Sequence, residues 1–139
     1  MEKKHLITFL AVGIGGGLGT LLRYLINIQT VAHLFPLGTL LENLIGSFLL
    51  GLLTGWIVHL KINEILKTGL GVGFCGGFTT MSTLAADVNS LIISEYWLFI
   101  SFYLSTSIFG GVALAFIGYI WAEKGSFKYK SRREVGEVE

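Results

Sequence analysis

Four long apolar stretches constrain the fold of this 139-residue chain more than any other feature of its sequence. They cover residues 6–26, 38–58, 66–93 and 96–122. Each is long enough to cross an apolar membrane core of about 30 Å, which takes about 20 helical residues. Since 53% of the residues are hydrophobic and only 14% are charged, a soluble domain is excluded. We predict an all-α membrane protein with a four-helix transmembrane domain over residues 1–122.

The placement of charge predicts how the chain is oriented. Nine of the ten lysines and arginines lie before the first stretch, between the second and third, or after the fourth. Because short basic segments stay cytoplasmic, we predict a multi-pass plasma-membrane protein with both termini in the cytoplasm. Residues 123–139 mix both charges with few apolar side chains, which predicts a disordered cytoplasmic tail. We expect neither an enzyme nor a nucleic-acid partner.

The third stretch is interrupted by GFCGGFTTMSTL, residues 73–84. Gly76 and Gly77 are followed by a run of hydroxyl side chains, namely Thr79, Thr80, Ser82 and Thr83. Irregular backbone at membrane depth persists only where it is buried in protein or lines a polar cavity, and its freed carbonyls are good ligands for a small cation. We therefore predict that the third helix is broken between residues 76 and 80, beside an ion pathway.

Glycines also recur at a spacing of four, which predicts close helix packing in lipid. The pairs are Gly13 and Gly17, Gly15 and Gly19, Gly51 and Gly55, Gly69 and Gly73, and Gly73 and Gly77. Gly71, Gly73 and Gly76 match G-x-G-x-x-G, but no strand precedes them, so a nucleotide site is not predicted.

Two adjacent polar residues, Glu42 and Asn43, lie inside the second stretch. The Asn43 amide is either a donor that replaces water around an anion or a hydrogen-bonding group between helices. The Glu42 carboxyl needs a partner or a proton at this depth. Arg23 lies at a similar distance from the external surface, so we predict an ion pair between Arg23 and Glu42.

Three segments, GGGLGTLLRY, PLGTLLENLIGSFLLG and GFCGGFTTMST, resemble in this order the motifs of the CrcB/Fluc family of fluoride-specific ion channels. The resemblance implies an antiparallel dimer with two pores, through which cytoplasmic fluoride leaves passively down its gradient. It implies a structural sodium ion held by the backbone carbonyls of Gly76 and Thr79. It also implies that a set of residues lines the pore, namely Asn43, Thr80, Met81, Ser82, Thr83, Leu84, Tyr103 and Ser107.

This sequence departs from the family pattern at several pore positions. The family commonly has phenylalanine at the positions of Met81 and Leu84, where electropositive ring edges face the anion, and neither side chain here has an aromatic quadrupole. In the family, polar side chains follow one another at helical spacing along the fourth span. Tyr103 and Ser107 match the start of this row, but the next positions at that spacing, Gly111 and Ala115, have no hydroxyl. These changes leave open an accessory subunit of a heterodimeric fluoride channel with a degenerate pore surface.

The choice of partner is also open. The chain pairs with itself or with a homologous subunit of opposite topology. An antiparallel homodimer requires insertion in both orientations and therefore little difference in basic charge between the two sides. The ratio of nine to one favours a homologous partner. A small multidrug-resistance-type, proton-coupled exporter is disfavoured, because such exporters carry a glutamate within the first span and this chain has none there.

Overall fold

A computed structural model describes residues 2–30 and 35–136, with side chains as far as residue 131. These residues form no strand, and their five helices are α1 (Glu2–Thr30), α2 (Leu37–His59), α3 (residues 64–78), α4 (Met81–Ile93) and α5 (residues 97–136). Within these described ranges, three stretches are long and apolar enough to cross a membrane: α1, α2 and Trp97–Ser131 of α5. α3 and α4 divide the remaining predicted span into two halves. The predicted all-α membrane fold is confirmed.

α3 and α5 each contain a π-helical stretch, in which the backbone hydrogen bonds span five residues instead of four. α3 consists of Glu64–Thr68, the π-helical Gly69–Cys75 and Gly76–Phe78. α5 consists of Trp97–Ser105, the π-helical Thr106–Gly110 and Gly111–Gly136. Such wide turns frequently mark functional sites, and the one in α3 ends three residues before the helix itself ends at Phe78.

Glycines bring α1 and α3 into backbone contact. A Cβ added to Gly15 would meet the Gly69 carbonyl, and one added to Gly19 would meet the Phe74 carbonyl. The contacts advance in the same direction along both helices, so α1 and α3 are parallel. The absence of a side chain is what permits this approach.

α2 and α5 pack in the same manner. A Cβ added to Gly51 would meet the Ala115 carbonyl, and one added to Gly55 would meet the Tyr119 carbonyl. These helices are parallel as well. Since α1 packs with the third span and α2 with the fourth, the two parallel pairs agree with a chain that crosses the membrane four times in alternating directions.

One pair of glycines at a spacing of four, Gly13 and Gly17, does not pack against another helix as predicted. Among the residues that the structure describes, a Cβ at Gly13 or Gly17 would meet no atom within 4 Å outside the local helix backbone. Both residues lie on the outer side of α1, because the face that carries Gly15 and Gly19 is the one that meets α3.

An apolar cluster fixes α4 against α2 and α5. Its buried members are Leu40, Leu84, Leu91, Ile100 and Tyr103. Large apolar side chains cover much of the outer surface, as at Leu98, which is 81% exposed. That distribution suits a protein surrounded by lipid tails.

The structure corrects the predicted tail. α5 continues to Gly136, so residues 123–136 are helical, and residues 137–139 lie outside the described part of the chain. The extension docks on the end of α2: the Ser126 hydroxyl lies 3.4 Å from the Gly55 carbonyl, and the rings of His59 and Phe127 meet edge to face at 5.4 Å. These contacts supply the tertiary packing that composition alone did not reveal.

Candidate functional site

Thr79 and Thr80 form the break between α3 and α4. Both are extended, with φ −78° and ψ 157° at Thr79 and φ −151° and ψ 127° at Thr80. Gly76 remains helical, so the break lies at the threonines and not at the glycines. The reason is local: β-branched residues suit extended backbone, and the Thr80 hydroxyl caps α4 by accepting from the Thr83 N–H at 3.1 Å.

Asn43 of α2 pairs with the backbone of Thr80 as a neighbouring strand would. Its Oδ1 accepts from the Thr80 N–H at 2.7 Å, and its Nδ2 donates to the Thr80 carbonyl at 3.0 Å. Gly46, one helical turn later, allows this approach, because a Cβ there would meet the Thr79 methyl group. The amide that we predicted as an anion donor or an interhelical group makes interhelical bonds, and its second N–H remains for a ligand.

The two predicted sodium ligands have carbonyls released from helical bonding. In a continuous helix the Gly76 carbonyl would accept from the Thr80 N–H, and the Thr79 carbonyl from the Thr83 N–H. Here the Thr80 N–H donates to Asn43, and the Thr83 N–H donates to the Thr80 hydroxyl. Such carbonyls suit a small monovalent cation, so the residues fit the sodium that the resemblance implies.

An open groove of about 600 Å³ lies beside the break, between α2, α3, α4 and α5. Seven of the predicted site residues line it: Asn43, Gly76, Thr79, Thr80, Met81, Leu84 and Ser107. Residues from both π-helical stretches line it too, including Gly71 and Cys75 of α3 and Ile108 of α5. The tertiary structure therefore gathers most of the predicted site on one surface.

Ser107 lines this groove and carries a hydroxyl that makes no hydrogen bond to the described residues. Its Oγ is buried. Leaving a buried polar group unpaired costs about 1–3 kcal/mol. A hydroxyl left unpaired at that cost, on a residue that lines an open groove, is a candidate donor for a ligand.

Ser82 and Thr83 are not among the residues that line the groove. Their hydroxyls are 3.2 and 3.0 Å from the Thr80 hydroxyl, with which they form a small cluster. Thus the structure brings these predicted residues to the break but not into the groove.

Tyr103 is not brought to the groove either. It is fully buried in the apolar cluster, and its hydroxyl donates to Asp87 Oδ2 at 2.9 Å. Ala115, which lacks the hydroxyl of the family's row of polar side chains, packs on Gly51 of α2. Gly111, the step before it, does line the groove.

Glu42 is enclosed within the chain, with 0% of its surface exposed. Its Oε1 accepts from Asn27 Nδ2 at 2.9 Å, while its Oε2 has no hydrogen-bond partner among the described residues. Arg23 acts on Glu42 only as a nearby charge, so the predicted ion pair is not made. The Asn27 amide, which also donates to the Arg23 carbonyl at 3.3 Å, occupies the position against the carboxyl.

Sequence reasoning missed Asn27, Ser47 and Asp87. Ser47 lines the groove and comes four residues after Asn43, which puts both on one helix face. Asp87 follows Leu84 by three residues on α4. Spacing relative to residues already singled out could have indicated these two, but no pattern in the sequence relates Asn27 to Glu42.

A span broken at mid-depth and clamped by a side chain of another helix requires a polar environment inside the membrane. The fold and the groove thus define a multi-pass membrane protein of the kind that channels and transporters represent.

Comparisons with known proteins agree with the resemblance of the motifs. Residues 10–119 match the profile described as CrcB-like protein, Camphor Resistance (CrcB). The chain is 50% identical over 125 residues to the fluoride-specific ion channel FluC 2 of Halalkalibacterium halodurans, covering 90% of this chain and 91% of that protein. It is 43% identical over 123 residues to FluC 1 of Bacillus cereus, with coverages of 85% and 84%. The chain belongs to the CrcB family.

Asn43→Asp tests the clamp on the break. The substitution keeps the size of the side chain but puts an oxygen against the Thr80 carbonyl, where Nδ2 donates. We expect amide hydrogen exchange of residues 79–83 to accelerate about tenfold, since a lost buried hydrogen bond costs about 1–3 kcal/mol. Asn89→Asp makes the same change on an exposed residue of α4 and should leave exchange unaltered. Equal exchange rates in the two variants would contradict the clamp.

Proposed function

We propose that this chain is a subunit of a fluoride-selective channel that lets fluoride leave the cytoplasm passively down its gradient. The relatives named as fluoride-specific ion channels support this proposal. The observation that carries it is the unpaired Ser107 hydroxyl in a groove with no acidic side chain among the described residues that line it. An unpaired hydroxyl donor, with no carboxylate beside it to repel an anion, supports anion binding on the Ser107 side of the groove.

The groove supplies what a small anion needs after it leaves water. Fluoride holds its hydration water tightly, and donors have to replace that water inside the apolar span. Ser107 offers a hydroxyl, and Asn43 offers the N–H that Thr80 does not use. Met81 and Leu84 add apolar surface without aromatic ring edges, so this chain depends on polar donors more than the family pattern does.

The open groove also supports assembly into a dimer. Met81 is 76% exposed beside it, and Gly76 is exposed as well. Polar backbone at membrane depth needs protein cover. We propose that a second, antiparallel subunit supplies this cover.

A homologous subunit of opposite orientation is the partner that we favour. The basic residues are distributed nine to one between the two sides of the predicted spans, which directs insertion with both termini in the cytoplasm. The numbered names FluC 1 and FluC 2 among the relatives are compatible with paired chains. In such a pair this chain provides one pore surface, either a complete one or one that lacks some of the family's pore residues.

We propose that the carbonyls of Gly76 and Thr79 hold a structural sodium ion. The bonding of Thr80 and Thr83 to other partners, which releases both carbonyls, supports this site. A bound cation there would compensate the unpaired carbonyl dipoles and hold the interrupted helices together.

Ser107→Ala tests the proposed function. In liposomes that hold this chain together with a homologous subunit from the same genome, fluoride efflux should fall about tenfold, the cost of one hydrogen bond to a charged group. Ser105→Ala removes an exposed hydroxyl of α5 and should leave the flux unchanged. If neither the pair nor this chain alone passes fluoride, the proposed function is wrong.

Gly76→Val tests the sodium site. Within the described part of the chain and outside the local helix backbone, the only atom within 4 Å of a Cβ at Gly76 is the Gly71 carbonyl oxygen, at 4.0 Å. The variant should therefore fold while its bulk covers the exposed face of the break. We expect sodium, compared with choline, to raise the thermal unfolding midpoint of the wild-type assembly but not that of the variant. Gly13→Val, at another open glycine, is the control. An unchanged sodium effect in Gly76→Val would refute the site.

Reporter fusions at the C-terminus test the choice of partner. One reporter is active only in the cytoplasm and the other only outside. We expect activity almost wholly from the cytoplasmic reporter, because the charge bias leaves few inverted copies to pair with. Comparable activity from both reporters would show dual orientation and would favour a homodimer.

A further inference from the structure

The line of contact between α2 and α5 repeats every four residues on both helices, and we call it the seam. A Cβ added to Gly51 of α2 would meet the Ala115 carbonyl of α5. One helical turn earlier on both helices, a Cβ added to Gly111 would lie 3.3 Å from Ser47 Oγ. Because residues four apart share a helix face, these two contacts belong to one register. Ser47 therefore faces Gly111 across the seam.

The same register places Asn43 opposite Ser107, one turn earlier again. Both residues line the groove beside the helix break, as Ser47 and Gly111 do. The character of the seam thus changes along its length. Backbone contact closes it at Gly51, whereas polar side chains border the groove at the two preceding steps.

The glycine at position 111 leaves room for the Ser47 hydroxyl. Within the described part of the chain and outside the local helix backbone, Ser47 Oγ is the only atom within 4 Å of a Cβ at Gly111. A larger residue at position 111 would therefore take the space that this hydroxyl occupies. Ser47 itself is only partly buried and lines the groove, so a small ligand in the groove can approach its side chain.

Ser47 and Asn43 give one face of α2 two successive donors at the groove. Residues four apart on a helix lie about 6 Å apart along its axis. The serine hydroxyl can donate one hydrogen bond, and the Asn43 amide has a second N–H besides the one that it donates to the Thr80 carbonyl. Conduction is favoured by several weak sites in series, since an ion has to leave each site for the next. A donor one turn from Asn43 supplies such a further site.

We propose that the Ser47 hydroxyl is an anion-binding position of the groove, which donates to a dehydrated fluoride ion one helical turn from Asn43 and Ser107. This inference rests on the fluoride-channel function proposed above and adds a binding residue to it. Asn43 makes the clamp on the helix break, so loss of the Ser47 hydroxyl should reduce the flux and leave the break intact.

Ser47→Ala tests the inference in liposomes that hold this chain together with a homologous subunit from the same genome. We expect fluoride efflux to fall about tenfold, because one hydrogen bond to a charged group is lost. Ser101→Ala removes an exposed α5 hydroxyl that bonds to the Trp97 carbonyl, and it should leave the flux unchanged. If the wild type conducts and Ser47→Ala conducts equally well, the inference is wrong while the channel function stands. A wild-type pair that passes no fluoride would refute both.

Moving the hydroxyl across the seam distinguishes ion binding from packing. In Ser47→Ala/Gly111→Ser the hydroxyl is restored from α5, beside the space that Ser47 Oγ leaves, so most of the lost flux should return. Ser47→Ala/Gly111→Ala adds only a methyl group there and should conduct as poorly as Ser47→Ala. Equal flux in the two double variants would overturn the inference, because packing and not the hydroxyl would then matter. Faster amide exchange of residues 79–83 in Ser47→Ala would overturn it as well, since the loss of flux would then come from damage to the break.

Discussion

The pairing of the Asn43 amide with the Thr80 backbone is the interaction on which the site depends. A helix cannot stop inside an apolar membrane core unless other groups take over its backbone hydrogen bonds. Asn43 does so for Thr80, and the Thr80 hydroxyl does so for Thr83. With those N–H groups engaged, the carbonyls of Gly76 and Thr79 are released beside a groove. The polar character of the site thus follows from how the break is held.

Glycines decide where this clamp can be placed. Gly46 allows α2 to reach Thr79, and Gly51 and Gly55 seat α2 against α5 with backbone contact. In lipid, where apolar surface alone does not drive helices together, close approach of backbones is a main source of packing energy. α2 therefore carries both the glycines that allow close packing and Asn43, the side chain that supports the break.

α2 is also held from its other side. Glu42, adjacent to Asn43, bonds to Asn27 of α1, while Asn43 bonds to Thr80. Neighbouring residues on a helix point about 100° apart. Two bonds in different directions fix the rotation of α2 about its axis. The cost is an enclosed carboxyl with one unpaired oxygen, in a span where ionisable groups are expensive.

The sequence by itself determined the all-helical membrane fold, the interruption near Thr79 and the family, because apolar length, breaker residues and motif order are local properties of the chain. Only the tertiary structure decided which faces meet. It turned Tyr103 into the core, left Gly13 on the outer surface, placed Asn27 against Glu42 and kept α5 helical beyond the predicted membrane boundary. The physical reason is that helical periodicity specifies which residues share a face, whereas packing against neighbouring helices selects what that face contacts.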